Sequence, residues 1–283
     1  MCNTCGCNVT DGNRHLLAPA AKGNPVLGGN PAKILNGLLE NNDRQARLNR
    51  ARLDELGVLT INLMSSPGSG KTSLLESTIR RLDGRLRLGV IEGDLETEND
   101  ADRIRALGIP AHQITTGTAC HLDAHLIQGG LDRLDLGQLD ILFIENVGNL
   151  VCPASFDLGH HRNVTLLSVT EGDDKPAKYP VMFRAADLML ISKTDLLPHL
   201  GEFSPERAEG CLRNLASRAP ALRLSARTGE GMDDWIAWLS AEHAAYRKLL
   251  PARQTLIPRV ETEGRKIHAL GPEITFRPLA PAG

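Results

Sequence analysis

Aromatic side chains are scarce. Phe, Trp and Tyr make up 3% of the 283 residues, so a core has to be filled by Leu, Val, Ile and Ala. Net charge is nearly absent as well. The 32 Lys and Arg stand against 34 Asp and Glu, a formal −2, which lacks the basic excess expected of a nucleic-acid binder. No apolar run approaches the roughly 20 residues of a membrane-crossing helix, so no membrane partner is expected. The N-terminus shows no apolar export segment, and cytoplasm is the expected compartment. Internal repeats and low-complexity tracts are missing too. The 41% of hydrophobic residues still suffice for one large domain with extensions.

Cysteine is sparse but unevenly placed. Three of six fall within the first seven residues, as Cys2, Cys5 and Cys7; the others are Cys120, Cys152 and Cys211. Without an export signal, metal ligation is a stronger reading than a disulfide framework. Met1-Cys2-Asn3-Thr4-Cys5-Gly6-Cys7 offers three thiols and a free amine to one ion. Such a set suits Ni²⁺ as a square plane or Zn²⁺ as a tetrahedron. Cys120-His121, read as opening a helix, and Cys152 form a second candidate set. Cys211 reads as a core residue, and His125, His160 and His161 as solvated or structural.

The chain divides into three zones. Residues 1–40, rich in Gly, Asn and Pro, read as a flexible arm that carries the metal motif. Residues 41–250 read as the nucleotide-binding domain, entered through a helix over 41–57. Residues 251–283 read as a proline-bearing tail. Within the domain, apolar runs at 59–64, 86–91, 141–144, 164–169, 188–191 and 222–224 predict strands. Helical patterns fall at about 71–82, 100–107, 120–134, 204–217 and 231–249. Buried strands alternating with helices predict an α/β fold, a mostly parallel sheet with helices on both faces. Ligands on such sheets sit at the carboxyl ends of the strands, where the polar motifs fall.

After the first strand comes Ser65-Ser66-Pro67-Gly68-Ser69-Gly70-Lys71-Thr72, close to the phosphate-loop pattern G-x-x-x-x-G-K-[ST] with Ser for the first Gly. Gly68, Ser69 and Gly70 would turn backbone N–H groups towards phosphate oxygens. Lys71 would reach the β- and γ-phosphates, Thr72 would ligate Mg²⁺, and Ser73 opens the helix whose dipole faces the anion. Ser192-Lys193-Thr194-Asp195 follows a later strand and is close to N-K-x-D. Asp195 would accept from guanine N1–H and the exocyclic amine, with Lys193 along the base. Ser225, Ala226 and Arg227 would back the base. Two acidic segments end other strands. Asp94 and Glu145 are the candidate Mg²⁺-side carboxylates, Asp94 also the candidate for orienting water, and Gly148 the residue whose N–H would swing to the γ-phosphate.

Taken together, these residues resemble the nickel-incorporation GTPases of hydrogenase maturation, within the metal-chaperone P-loop NTPases. The likeness covers roughly 1–7 and 45–250. It implies that Cys2, Cys5 and Cys7 form a nickel motif, and that Cys120, His121 and Cys152 hold Zn²⁺ or Ni²⁺ at a dimer interface. It implies slow GTP hydrolysis to GDP, a GTP-dependent homodimer, the metallochaperone HypA as partner and the hydrogenase large subunit as acceptor. Lys175, in Glu171-Gly172-Asp173-Asp174-Lys175-Pro176, is implied to act in trans. Two departures stand out: Ser192 replaces Asn, and residues 8–40 hold only His15, so delivery is expected over bulk storage. The competing expectations are a sister GTPase for urease or a cobalamin enzyme, a P-loop small-molecule kinase, and a nickel or zinc store with a regulatory nucleotide site.

Overall fold

The computed structural model describes residues 31–94, 98–117, 119–215 and 217–259, with backbone alone for 31–36 and 38. Seven strands are β1 (Leu59–Ser65), β2 (Leu88–Asp94), β3 (Ala111–Thr115), β4 (Ile141–Glu145), β5 (Arg162–Ser168), β6 (Leu188–Ser192) and β7 (Ala221–Arg223). They form one sheet in the order β3-β2-β4-β1-β5-β6-β7, and every ladder is parallel. Alternate residues of each strand serve opposite faces. Leu59, Ile61 and Leu63 join Phe143 and Leu166 beneath α2 (Lys71–Leu82) and α8 (Met232–Leu249). On the other face Leu142 and Ile144 pack with α1 (Pro31–Leu56) and α4 (Ala124–Leu131). The same face continues through Met64, Leu167 and Met189 to α6 (Pro180–Ala185) and α7 (Pro205–Asn214). Both faces are covered, so the expected architecture holds. Four aromatics, Phe143, Phe183, Trp235 and Tyr246, are fully buried in it. Trp235 is fully buried, with its indole N–H donated to Thr78 Oγ1 at 2.8 Å.

Several boundaries differ from the sequence expectation. The helix expected at 120–134 starts at Ala124, because Asp123 caps it and accepts from the N–H groups of His125 and Leu126, each at 2.9 Å. Cys120 and His121 therefore lie in the turn before the helix. β3 is not among the strands that apolar runs predict, and α3 (Asn99–Arg105) and α5 (Lys175–Lys178) depart from the helical pattern in length and in presence. α1 reaches back to Pro31, since the first turn of a helix tolerates proline. The start of the expected tail is held to the domain. Thr255 Oγ1 donates to Asp54 Oδ1 at 2.7 Å, and Asn163 Nδ2 donates to the Arg259 carbonyl at 2.7 Å. The motif at Cys2, Cys5 and Cys7 lies outside the described residues. His160 and His161 are structural: both are fully buried, and His161 Nε2 donates to Asp54 Oδ1 at 3.1 Å.

Candidate nucleotide and metal site

β1 runs straight into the phosphate loop. Gly68 and Gly70 take φ of 73° and 97°, the left-handed region that favours glycine. Ser65 is fully buried, and its hydroxyl donates to the Ser66 carbonyl at 2.7 Å while accepting from Lys71 Nζ at 3.2 Å. A hydroxyl at the position of the usual first Gly thus holds the lysine expected to reach the phosphates. Two further contacts fix the loop from outside. Ser192 Oγ donates to the Ser69 carbonyl at 2.8 Å, so the residue replacing Asn ties β6 to the loop. Glu171 accepts from the hydroxyl of Ser69 at 2.5 Å and from that of Ser66. Glu171 opens the acidic segment that ends at Pro176, but only its tertiary partners reveal this role.

A cavity of about 200 Å³ opens beside the loop, lined among others by Ser73, Lys193, Asp195, Leu196, Ala226 and Arg227. Lys193 Nζ reaches over to the Gly68 carbonyl at 2.7 Å. Ser225 Oγ donates to Asp195 Oδ1 at 2.6 Å, and Arg227 Nη1 lies 3.8 Å from Asp195 Oδ2. The two base motifs, thirty residues apart in sequence, therefore meet at one carboxylate.

On the other side of Lys71, Thr72 Oγ1 donates to Glu145 Oε1 at 2.9 Å, and Lys71 Nζ is 4.0 Å from the same oxygen. Glu92, Asp100 and Glu145 bring one carboxylate oxygen each within 4.8 Å of one another. Burial, then the charge of Glu145, pushes the Glu92 pKa up to about 8. Burial, opposed by Lys71, pushes Glu145 up to about 7. Glu92 Oε2 and Glu145 Oε2 are both buried and have no hydrogen-bond partner among the described residues. Hard oxygen donors of this kind fit Mg²⁺. Asp94 ends β2, half-buried, and its charge adds to the upward push on Glu92. Glu92 and Asp100 are absent from the candidates that the sequence offers. The only signal was an acid at an inward position of an otherwise apolar strand.

Past β4 the chain returns to the phosphate loop. A Cβ on Gly148 would stand 2.8 Å from Pro67 Cα and from Pro67 N, so the segment touches the loop where only glycine fits. Gly148→Ala is expected to leave GDP affinity within about threefold and to slow GTP hydrolysis at least tenfold, because the forced backbone displacement would fall where the sequence places the γ-phosphate. Single-turnover hydrolysis with bound GTP checks this; a wild-type rate would remove Gly148 from the switch.

The same segment carries Cys152 to Cys120. Their Sγ atoms are 3.1 Å apart, Cys120 Sγ is 3.7 Å from His121 Nδ1, and the three ligand atoms all lie within 4.8 Å of one another. His121 is buried and stacked on Phe156 with ring centroids 4.0 Å apart. Burial lowers its pKa, which keeps the imidazole neutral as a ligand must be. Soft thiolates with one imidazole suit Zn²⁺ or Ni²⁺. Lys175 begins α5, its ammonium 5.2 Å from the centroid of the Tyr179 ring. Cys211 sits half-buried on α7.

Comparison with known proteins places the chain in a nucleotide-binding family. The family model described as CobW/HypB/UreG, nucleotide-binding domain, matches residues 59–223. A hydrogenase maturation factor HypB of Azotobacter vinelandii is 53% identical over 240 residues, covering 80% of this chain and 79% of that protein. The HypB of Escherichia coli K12 is 54% identical over 208 residues, covering 74% and 71%. The crystal structure of HypB from Helicobacter pylori in complex with nickel superposes with a TM-score of 0.69 at 43% identity, covering 72% of this chain and 95% of that one.

Proposed function

Since the chain belongs to the CobW/HypB/UreG nucleotide-binding family, and within it to the hydrogenase maturation factors HypB, we propose that it is a GTP-hydrolysing metallochaperone that binds nickel and delivers it during maturation of [NiFe] hydrogenase. One observation carries the coupling of nucleotide to metal. The stretch from Glu145 to Cys152 begins at the phosphate site and ends 3.1 Å from the thiol of Cys120.

Each residue then has a task. Backbone N–H groups of Gly68–Thr72 and the Lys71 ammonium hold the phosphates, and Asp195 selects guanine. Thr72, Glu145 and Asp94, with Glu92 beside Glu145, would hold Mg²⁺, which would supply positive charge next to the phosphate oxygens. Asp94 orients the attacking water. Gly148 donates its N–H to the γ-phosphate and draws the segment with it. Cys120, His121 and Cys152 bind the cargo Ni²⁺, or Zn²⁺ in its place, and Cys2, Cys5 and Cys7 form a second nickel site. No helix among the described residues is long and apolar enough to cross a membrane. GTP favours a homodimer in which Lys175 approaches the partner's nucleotide. Hydrolysis releases nickel to the hydrogenase large subunit, with HypA as the companion chaperone. Without an arginine finger supplied by a partner the turnover is expected at about 10⁻⁴ to 10⁻² s⁻¹.

The test is nickel affinity measured with GDP and with a non-hydrolysable GTP analogue. The two are expected to differ at least about fivefold, and Cys152→Ala is expected to abolish the difference. If Cys152→Ala keeps both affinities and their ratio, the coupling reading fails.

A further inference from the structure

The segment that links phosphate to metal grips the Cys120 turn through one buried side chain. Asn146 stands between Glu145 and Gly148 and is 1% exposed. Its Oδ1 accepts from the backbone N–H of Leu122 at 3.2 Å and from that of Val147 at 3.0 Å. Its Nδ2 donates to Asn62 Oδ1 at 3.1 Å. Leu122 directly follows His121, and Asn62 lies on β1 three residues before Ser65.

The partners of Asn146 are themselves fixed. Asn62 Nδ2 donates to Asn163 Oδ1 on β5 at 3.0 Å, and the same oxygen accepts from His160 Nε2 at 2.7 Å. Asn62 and Asn163 are 0% and 1% exposed. The sheet end of this chain of hydrogen bonds is therefore rigid, paired and dry. The other end is the turn before α4, where Leu122 is fully buried in the core and His121 stacks on Phe156. The switch segment holds this turn a second time, where Asn149 Nδ2 donates to the Cys120 carbonyl at 3.3 Å.

Only one orientation of the Asn146 amide satisfies this arrangement. Flipping it would set an NH₂ group against two N–H donors and an oxygen against Asn62 Oδ1. A buried amide that loses its partners pays a desolvation cost. When residues 145–148 move, Asn146 must either carry Leu122 along or give up that hydrogen bond. In the first case His121 and Cys120 are drawn along with Leu122; in the second they stay while the segment that carries Cys152 moves away from them.

We infer that Asn146 is the positioning residue that transmits nucleotide state to the metal ligands, through its hydrogen bond to the Leu122 N–H and with Asn62 as fixed anchor. The inference rests on the metal-coupled GTPase reading above. It assigns Asn146 no contact with nucleotide or metal.

The experiment compares wild type, Asn146→Ala, Asn62→Ala and Cys152→Ala in the full chain. Nickel affinity is read by competition with a chromophoric chelator, in GDP and in a non-hydrolysable GTP analogue. Asn146→Ala is expected to bring the ratio of the two affinities to within about twofold of one, from at least about fivefold in wild type. Nickel affinity without nucleotide, and GDP affinity, are expected to stay within about threefold of wild type. A purely structural role would lower these affinities and leave their ratio. A folded Asn146→Ala protein with the wild-type ratio overturns the inference. Should Asn146→Ala not fold, Asn62→Ala decides by the same criterion. A wild-type protein with no ratio overturns the coupling reading itself and this inference with it. A ratio lost in Cys152→Ala but kept in Asn146→Ala removes Asn146 alone.

Discussion

Asp195→Asn is expected to weaken GTP binding by about 10² to 10⁴-fold while leaving ATP binding as poor as before. In the proposed site two guanine donors, N1–H and the exocyclic amine, would meet this carboxylate, and each charged hydrogen bond is worth about 1.5–3 kcal/mol. An Asn amide offers only one acceptor and sets a donor against a donor. Ser225 Oγ, which donates to Asp195 Oδ1 at 2.6 Å, can donate to the Asn oxygen equally well. The loss is therefore assigned to the base and not to collapse of the pocket. Xanthine supplies the control. It carries a carbonyl where guanine has its amine, so the Asn NH₂ finds an acceptor and xanthosine nucleotides are expected to bind the variant better than the wild type. Titration with fluorescent GDP and XDP reads both effects. Wild-type GDP affinity in the variant would mean that Asp195 does not read the base. A preference for adenine nucleotides in the wild type would instead favour the small-molecule kinase expectation.

The parts of this site that are legible in the sequence are those whose meaning is local. The string from Ser65 to Thr72 carries its own geometry, because glycine at positive φ and lysine at a helix start do the same work in any surroundings. Nearly continuous apolar strands announce a covered parallel sheet for the same reason. β3 is illegible because it lies at the sheet edge and reads Ala-His-Gln-Ile-Thr, with a single large apolar residue. The start of α4 is misplaced by pattern alone because Cys120-His121-Leu122 continues its apolar pattern backwards, and only the Asp123 cap stops the helix. Ser192 looks like a loosened Asn, yet its hydroxyl performs a tie to the Ser69 carbonyl. Glu92, Glu171 and Asn146 are out of reach for one shared reason. Each acts through partners that are distant in sequence or on another element, and no spacing rule encodes such a meeting.

Glu92→Gln is expected to stabilise the nucleotide-free protein in EDTA strongly at pH 8 and hardly at pH 5. The Glu92 pKa stands at about 8 in the fold against 4.5 for the free side chain. Below about pH 4.5 folded and unfolded chains both carry the proton, and the group contributes nothing. As pH rises towards 8 the unfolded chain has released a proton that the folded chain still binds, so stability falls. Above 8 the penalty is constant. Glu145, raised to about 7, works in the same direction over a narrower window. Each tenfold difference in proton affinity between folded and unfolded chain is worth at most about 1.4 kcal/mol, and about 1 kcal/mol moves the Tm of a domain this size by roughly 2–4 °C. Gln keeps the shape and carries no charge at any pH, so a gain of about 5 °C or more at pH 8 is expected. Calorimetry at the two pH values checks it, and an equal gain at both would show that the cost of ionising buried Glu92 is not the cause. Binding should pull the other way. An ion needs these carboxylates deprotonated, so Mg²⁺ affinity in the presence of GTP is expected to rise between pH 6 and 8 in the wild type and to be weaker in Glu92→Gln. A pair that costs stability when empty and ionised, and is relieved when a cation arrives with the nucleotide, would make the phosphate site tightest where its occupant is present.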